Sequence, residues 1–166
     1  MEKMNISDKG LEHLIKLEGG TRLTMYNDLG GKKGHCTIGV GHLIHKGVCN
    51  GLIPSEKPYL NGISTAQAKQ LLKNDLNTVQ NTINRYIIAP VSQNQYDALV
   101  SFVFNVGITA FRHSTLKTLV NAKQYKNAAN EFLKWNKMTT NGKQKVIDGL
   151  INRRIAEKAL FEKVSK

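Results

Sequence analysis

The sequence predicts an α+β protein, mostly α-helical, in two lobes: a small antiparallel sheet near the N-terminus and a helical remainder, joined by one long helix. Three observations carry this expectation. Apolar residues recur at helical spacing through most of the chain. From Thr21 to about Ile44 the texture changes, with dense glycine and β-branched or aromatic residues alternating with polar ones. No internal repeat, low-complexity run or flexible linker interrupts this order.

The first helix starts at Ser7, a suitable N-cap, and carries Leu11, Leu14, Ile15 and Glu18 at i, i+3, i+4 and i+7. Gly19-Gly20 ends it, because glycine accepts the left-handed conformation that closes a helix. Two or three short strands follow, with DLGGKKGH as turn material. Lys46 to Gly62, which holds Pro54 and Pro58, reads as a loop. Ser64-x-x-Gln67 is a capping box. Behind it Ala68, Leu71, Leu72, Leu76, Val79, Ile83 and Tyr86 define a helix of about 22 residues, roughly 33 Å long and able to connect two lobes. A second capping box, Ser92-x-x-Gln95, opens an apolar helix ending at Gly107. Helices are then expected from Ser114 to about Ala122, from Tyr125 to about Trp135 and from Lys143 to about Val164. The chain thus reads as one domain: a β-rich lobe over about 19–62, a connecting helix over about 64–87, and a helical lobe over about 91–166 on which helix 7–18 packs.

With 166 residues the chain can bury roughly 70% of its unfolded surface and needs no staples to fold. Its 24 Lys+Arg against 12 Asp+Glu give a net charge of +12, which favours nucleic acid, anionic membranes or the anionic polymers of bacterial walls and envelopes. No RNP motif, zinc finger or acid-free basic helix is present, and the basic residues are spread along the chain, so nucleic acid is not the expected partner. The stretch MEKMNISDKG has neither the apolar core nor the cleavage site of a signal peptide, and no run nears the ~18 apolar residues of a membrane span. The expectation is a monomer made in a cytoplasm and exported by other means.

Cys36 and Cys49, with His42 and His45, spell C-x5-H-x2-H-x3-C, which invites a zinc reading. If CTIGVGH is one strand, Cys36 and His42 lie about 20 Å apart at ~3.3 Å per residue. Neither a metal nor a cofactor is therefore expected. A fold-back of this segment would permit a Cys36–Cys49 disulfide, but a cytoplasmic origin favours thiols.

Glu18 is the residue with the clearest chemical meaning. An acid at a helix C-terminus loses roughly 0.3–1 kcal/mol to the helix dipole, and Glu18 also continues an apolar stripe. Both circumstances raise a carboxyl pKa and suit a general acid that must hold its proton. Asp28 follows on the first strand, on the same face as Tyr26, with Asn27 on the other. Thr37 opens the next strand across a glycine-rich turn. Two carboxyls and a water-holding hydroxyl are the components of glycoside hydrolysis.

EGGTRLTMYND followed by GHCTIGVGHLIHKG resembles the E-G-x-R-L-x-x-Y-x-D … T-I-G-x-G-H signature of phage-type lysozymes, the endolysins of glycoside hydrolase family 24. QNQYDALVSFVFNVGITAFRHSTL and GLINRRIAEKALF resemble C-lobe segments of the same family, so the likeness covers nearly the whole chain. It implies a lysozyme-like two-lobed fold and a muramidase that cuts the β-1,4 bond between N-acetylmuramic acid and N-acetylglucosamine in peptidoglycan. It further implies Glu18 as general acid and, by an inverting route, Asp28 and Thr37 positioning the attacking water; the alternative is a lytic transglycosylase, which cuts the same bond without water. The family spacing from Glu to Asp is one residue shorter and points to Asn27; Asp28 is kept because Tyr26-x-Asp28 preserves the local order and the task needs a carboxylate. The gap from Asp28 to Thr37 is longer than usual, an insertion that falls in the hairpin loop. Phe104, Asn105 and Ser114 match substrate-binding positions near the sugar cleft, although Phe104 also reads as core and Ser114 as an N-cap. The matching histidine of similar lysozymes pairs with an Asp, which makes His42 and Asp75 a structural pair. Trp135 reads as core, and Arg153, Arg154, Lys158, Lys163 and Lys166 as part of a helix packed in its lobe rather than one acting on membranes. The resemblance also implies release to the wall through a holin-type pore, since no export signal is present.

Overall fold

The computed structural model describes residues 2–164, apart from the side chain of Thr140; Lys166, the end of the expected helical lobe, lies outside the described residues. The helices are α1 (Asp8–Leu17), α2 (Thr65–Tyr86), α3 (Gln93–Val106), α4 (Ile108–Arg112), α5 (Thr115–Asn121), α6 (Tyr125–Glu131) and α7 (Asp148–Glu162). The strands are β1 (Arg22–Asn27), β2 (Cys36–Gly39), β3 (His42–His45), β4 (Lys137–Thr140) and β5 (Lys143–Val146), with 3-10 turns over Pro54–Tyr59 and Phe132–Lys134. The chain forms two compact units, His13–Asn77 and a second that takes the residues up to Glu12 and those from Thr78 onward. The unit boundaries fall within α1 and α2.

In the first unit β1, β2 and β3 form an antiparallel sheet in that order. Tyr26 stands opposite Thr37 and Asn27 opposite Cys36. β2 is the central strand and is buried along its whole length, as a strand covered on both faces should be. Its last residue, Gly39, lies against α2, where a Cβ would sit 3.6 Å from the Cβ of Ala68. Leu14, Ile38, Val40, Ala68, Leu72 and Leu76 are buried in this unit.

Two expectations fail here. CTIGVGH is not one strand: it turns back at Val40-Gly41, with Gly39 and Gly41 at φ 70° and 66°, conformations that glycine enters without steric cost. The turn pairs Cys36 with His45 across the β2–β3 ladder. Nor are the cysteines free thiols, since Cys36 and Cys49 form a disulfide, Cα to Cα 4.7 Å. The Cys49 N–H donates to Asn27 Oδ1 at 2.8 Å, which brings the loop back to the sheet edge and sets the two sulfurs together. The loop itself contains the first 3-10 turn, where irregular chain was expected.

In the second unit α3 runs through the core, with Tyr96 and every residue from Asp97 to Val103 buried. Phe102, Phe132 and Phe161 stack in tilted and edge-to-face pairs, centroids 5.3 Å apart in each pair. The helix starts follow the sequence signals. Ser7 Oγ accepts the Gly10 N–H at 3.0 Å, and both capping boxes close reciprocally, Ser64 with Gln67 and Ser92 with Gln95. Two other helices are shorter than their periodicity suggested. The one from Tyr125 stops at Glu131, and the one expected from Lys143 starts only at Asp148. Between them lies the β4–β5 hairpin, turning on Asn141-Gly142 with φ 51° and 75°. Asn-Gly is the strongest short hairpin signal because both residues tolerate positive φ.

α7 brings an ionic group into this core. Glu157 and Arg154 are fully buried and Arg153 nearly so. Glu157 accepts from Ser101 Oγ at 2.5 Å and from Arg153 Nε at 3.2 Å, and pairs with Arg154 Nε at 3.1 Å. The Arg154 guanidinium lies 5.1 Å from the Phe102 ring centroid. The arginines of the last helix therefore pack inside the unit.

Candidate active site

Glu18 is positioned by the way α1 ends. The Gly20 N–H donates to the Ile15 carbonyl at 2.9 Å and the Gly19 N–H to that of Lys16 at 3.1 Å, with φ 94° and 90°. This is a Schellman closure, and it makes Glu18 the C-cap residue. Its side chain is half-buried rather than buried. A Cβ on Gly41 would come within 3.9 Å of Glu18 Oε2, so the β2–β3 turn passes beside the carboxyl.

Asp28 lies one residue beyond the end of β1, in the hairpin turn, and is exposed. Two bonds to the same residue fix it. Its N–H donates to the His35 carbonyl at 3.0 Å, and its Oδ1 accepts the His35 N–H at 2.8 Å. Gly34, at φ 95°, permits this arrangement, since a Cβ there would stand 2.0 Å from Asp28 Oδ1. Asn27 points elsewhere: its Nδ2 donates to Gly31 O at 2.7 Å and its Oδ1 accepts from Cys49 N.

Thr37 is buried, directly across from Tyr26. Its hydroxyl donates to the His35 carbonyl at 2.9 Å, which leaves the oxygen lone pairs to accept a hydrogen bond from another group. His35 thus holds both Asp28 and Thr37 through its main chain, and its own Nδ1 accepts the Gly47 N–H at 2.8 Å. Sequence reasoning did not single it out. Its role is carried by the backbone, which leaves no residue-type signal.

Glu18, Asp28 and Thr37 line one cavity of about 580 Å³, together with Arg22, Tyr26, His35 and Leu43. Asn27 is not among its lining residues. Burial raises the Tyr26 pKa, Arg22 opposes this, and the charges of Glu18 and Asp28 both add to it, so the phenol senses both carboxyls. The Arg22 guanidinium lies 4.3 Å from the Tyr26 ring centroid.

His42 Nδ1 meets Asp75 Oδ2 at 2.8 Å and lines no part of this cavity. The Asp75 hydrogen bond and charge raise the His42 pKa above its ordinary value, against the effect of partial burial. A raised histidine pKa means the pair's stabilisation is full below the unfolded value, about 6.5, and fades as pH rises through the folded one. Asp75→Asn should therefore lower stability by about 1 kcal/mol at about pH 5.5 and by much less at about pH 9, as read from urea midpoints.

Phe104, Asn105 and Ser114 belong to the other unit. Phe104 is half-buried. Asn105 Oδ1 accepts from Arg154, and the residue lines a separate cavity of about 300 Å³ with Trp135, Lys137 and Met138. Ser114 is buried and its hydroxyl is committed, donating to Phe111 O at 2.7 Å and accepting the Lys117 N–H at 3.1 Å as the α5 N-cap. Trp135 is half-buried, edge-on to Phe102 at 5.5 Å.

A sequence model of the family described as phage lysozyme matches residues 16–157. The endolysin of Acyrthosiphon pisum secondary endosymbiont phage 1 is 43% identical over 159 residues, covering 96% of this chain and 99% of that one. Among solved structures, the endolysin from Escherichia coli O157:H7 phage FAHEc1 matches with a TM-score of 0.82 at 34% identity, over 97% of this chain and 95% of that one. The muramidase domain of SpmX from Asticaccaulis excentricus matches with a TM-score of 0.78 at 32% identity, over 96% of this chain and 99% of that one. Fold and sequence together define a glycosidase of the lysozyme type. Within that class, the chain belongs to the phage lysozyme family.

Proposed function

We propose that the chain is a peptidoglycan-hydrolysing endolysin, a monomeric single catalytic domain that cuts the β-1,4 bond between N-acetylmuramic acid and N-acetylglucosamine. Glu18 is the general acid, Asp28 the general base and Thr37 the holder of the attacking water. The observation that carries this reading is the shared cavity: two carboxyls from different elements and a buried hydroxyl line one space.

Each group has one task. Glu18 gives its proton to the glycosidic oxygen as the C1–O bond breaks. Water attacks C1 from the opposite face and yields its proton to Asp28, whose carboxylate is aimed by the His35 N–H. Thr37 accepts a hydrogen bond from that water, because its own proton is engaged with the His35 carbonyl. Inversion follows, with the carboxyls about 6.5–9.5 Å apart so that a water fits between Asp28 and the sugar. Solvent then resets both protons. Phe104 and Asn105 remain the proposed substrate-binding residues of their own unit, with Asn105 beside Trp135, whereas Ser114, buried and with its hydroxyl committed, caps α5 instead.

The net charge of +12 suits an anionic envelope and the polymers around the wall. Access to that wall is through a separate holin-type pore in the inner membrane. No helix among the described residues is long and apolar enough to cross a membrane.

The test is product analysis. Purified protein incubated with peptidoglycan should release fragments with reducing muramic ends by mass spectrometry. Anhydro ends would mean bond cleavage without water and would overturn the assignment of Asp28 and Thr37; no release would overturn the enzyme reading. Site choice is tested side by side. Asp28→Asn should lower kcat by about 10²–10⁴-fold. Asn27→Ala should instead cost about 1 kcal/mol of stability, through its lost hydrogen bonds, and keep most of kcat.

A further inference from the structure

A second group of side chains in the His13–Asn77 unit is untouched by this mechanism. Cys36, His45 and Glu56 each present one donor atom, all within 4.8 Å of one another. Cys49 is bonded to Cys36 and is the next donor at hand, although its sulfur, 3.5 Å from the Tyr26 carbonyl, is not one of the three that cluster. Cys36 and Glu56 are fully buried, and the His45 side chain is 13% exposed. The spacing C-x5-H-x2-H-x3-C contains three of these residues; what it conceals is the β2–β3 turn, which puts His45 rather than His42 beside Cys36.

We propose that the reduced chain binds a zinc ion through Cys36, Cys49, His45 and Glu56. Two thiolates, an imidazole and a carboxylate form a donor set that suits tetrahedral zinc. Zn–S bonds of about 2.3 Å and Zn–N or Zn–O bonds of about 2.0–2.2 Å set ligand atoms roughly 3.3–3.8 Å apart, so the three clustered donors draw closer together and the Cys49 sulfur, once freed from Cys36, swings in to join them. Two of the ligands are already oriented as metal ligands are. His45 Nδ1 bonds to the Lys46 carbonyl at 2.8 Å, which turns Nε2 toward Glu56 Oε2 at 2.5 Å. Glu56 Oε1 accepts the Gly51 N–H at 2.7 Å, and the Asn50 N–H lies 3.2 Å from Oε2. The backbone thus holds the carboxylate in place from the far side.

The chemistry balances with a dithiol reductant. Thiol–disulfide exchange gives Cys36 and Cys49 two electrons and two protons and leaves the reductant as its own disulfide. Zinc then displaces both thiol protons and the proton between His45 and Glu56. The disulfide and the metal are alternative staples at one place, the first for oxidising surroundings and the second for reducing ones.

The test uses the full chain, reduced with a dithiol that is then removed under anaerobic conditions. Zinc chloride is added, excess is dialysed away, and bound metal is measured by elemental analysis, with circular dichroism confirming the fold. Reduced protein should retain about one zinc per chain and oxidised protein none. Cobalt in place of zinc should give a thiolate charge-transfer band. His45→Ala, Cys49→Ser and Glu56→Gln should each weaken zinc binding at least about tenfold, while the exposed His113→Ala should leave it unchanged. The proposal is overturned if reduced, folded protein retains no zinc, if zinc fails to hold the reduced chain folded, or if uptake is the same in His45→Ala and Cys49→Ser as in the wild type.

Discussion

Glu18→Gln should retain the fold and lose about 10²–10⁴-fold in the rate of peptidoglycan hydrolysis. Glutamine has nearly the same shape, and the closure of α1 is made by the main chains of Ile15, Lys16, Gly19 and Gly20, which the substitution does not touch. What it removes is the transferable proton. Thermal midpoints of variant and wild type should then agree within the range of an ordinary surface change, about ±0.5 kcal/mol, while fragment release collapses. A variant that lyses walls at the wild-type rate would show that another group protonates the leaving sugar.

The largest effect on stability should come from Glu157→Ala. The carboxylate is fully buried and is the shared partner of Arg153 and Arg154, both buried as well. Removing it strands two guanidinium charges in the core, with a loss of about 3–5 kcal/mol. For a chain of this size that is a fall in melting temperature of roughly 6–20 °C. Urea or thermal unfolding followed by circular dichroism reads the change directly. A loss under about 1 kcal/mol would mean that Ser101 and Asn105, which already accept or share these hydrogen bonds, satisfy the arginines alone.

What was legible in the chain follows from how far each signal reaches. Caps act within four residues, so Ser7, Ser64 and Ser92 marked their helices correctly, and Gly19-Gly20 marked the end that positions Glu18. Stripes are nearly as local, and they placed α2 and α3 well. The β2–β3 pairing stays open between two strands and three because it depends on a reversal at Val40-Gly41 inside an otherwise strand-like run, and with it goes the neighbourhood of Cys36 and His45. The β4–β5 hairpin is marked by Asn141-Gly142, a turn signal that lies in the gap between the two helices expected there. At the site, residue types pointed to Glu18, Asp28 and Thr37. The part of His35 was beyond reach, because its carbonyl and amide do the holding and any residue has those.

The hairpin between β1 and β2 is closed at its base by the paired bonds of Asp28 and His35. Leu29 to Gly34 lies outside that clasp, and Leu29 is 76% exposed. The loop is therefore a port: peptide can be spliced in beyond the clasp at little entropic cost while Asp28 stays where the backbone holds it. A wall-binding segment or an affinity tag grafted between Gly31 and Lys32 would stand at the rim of the Glu18 cavity, free to alter what the protein adheres to without altering how it cuts.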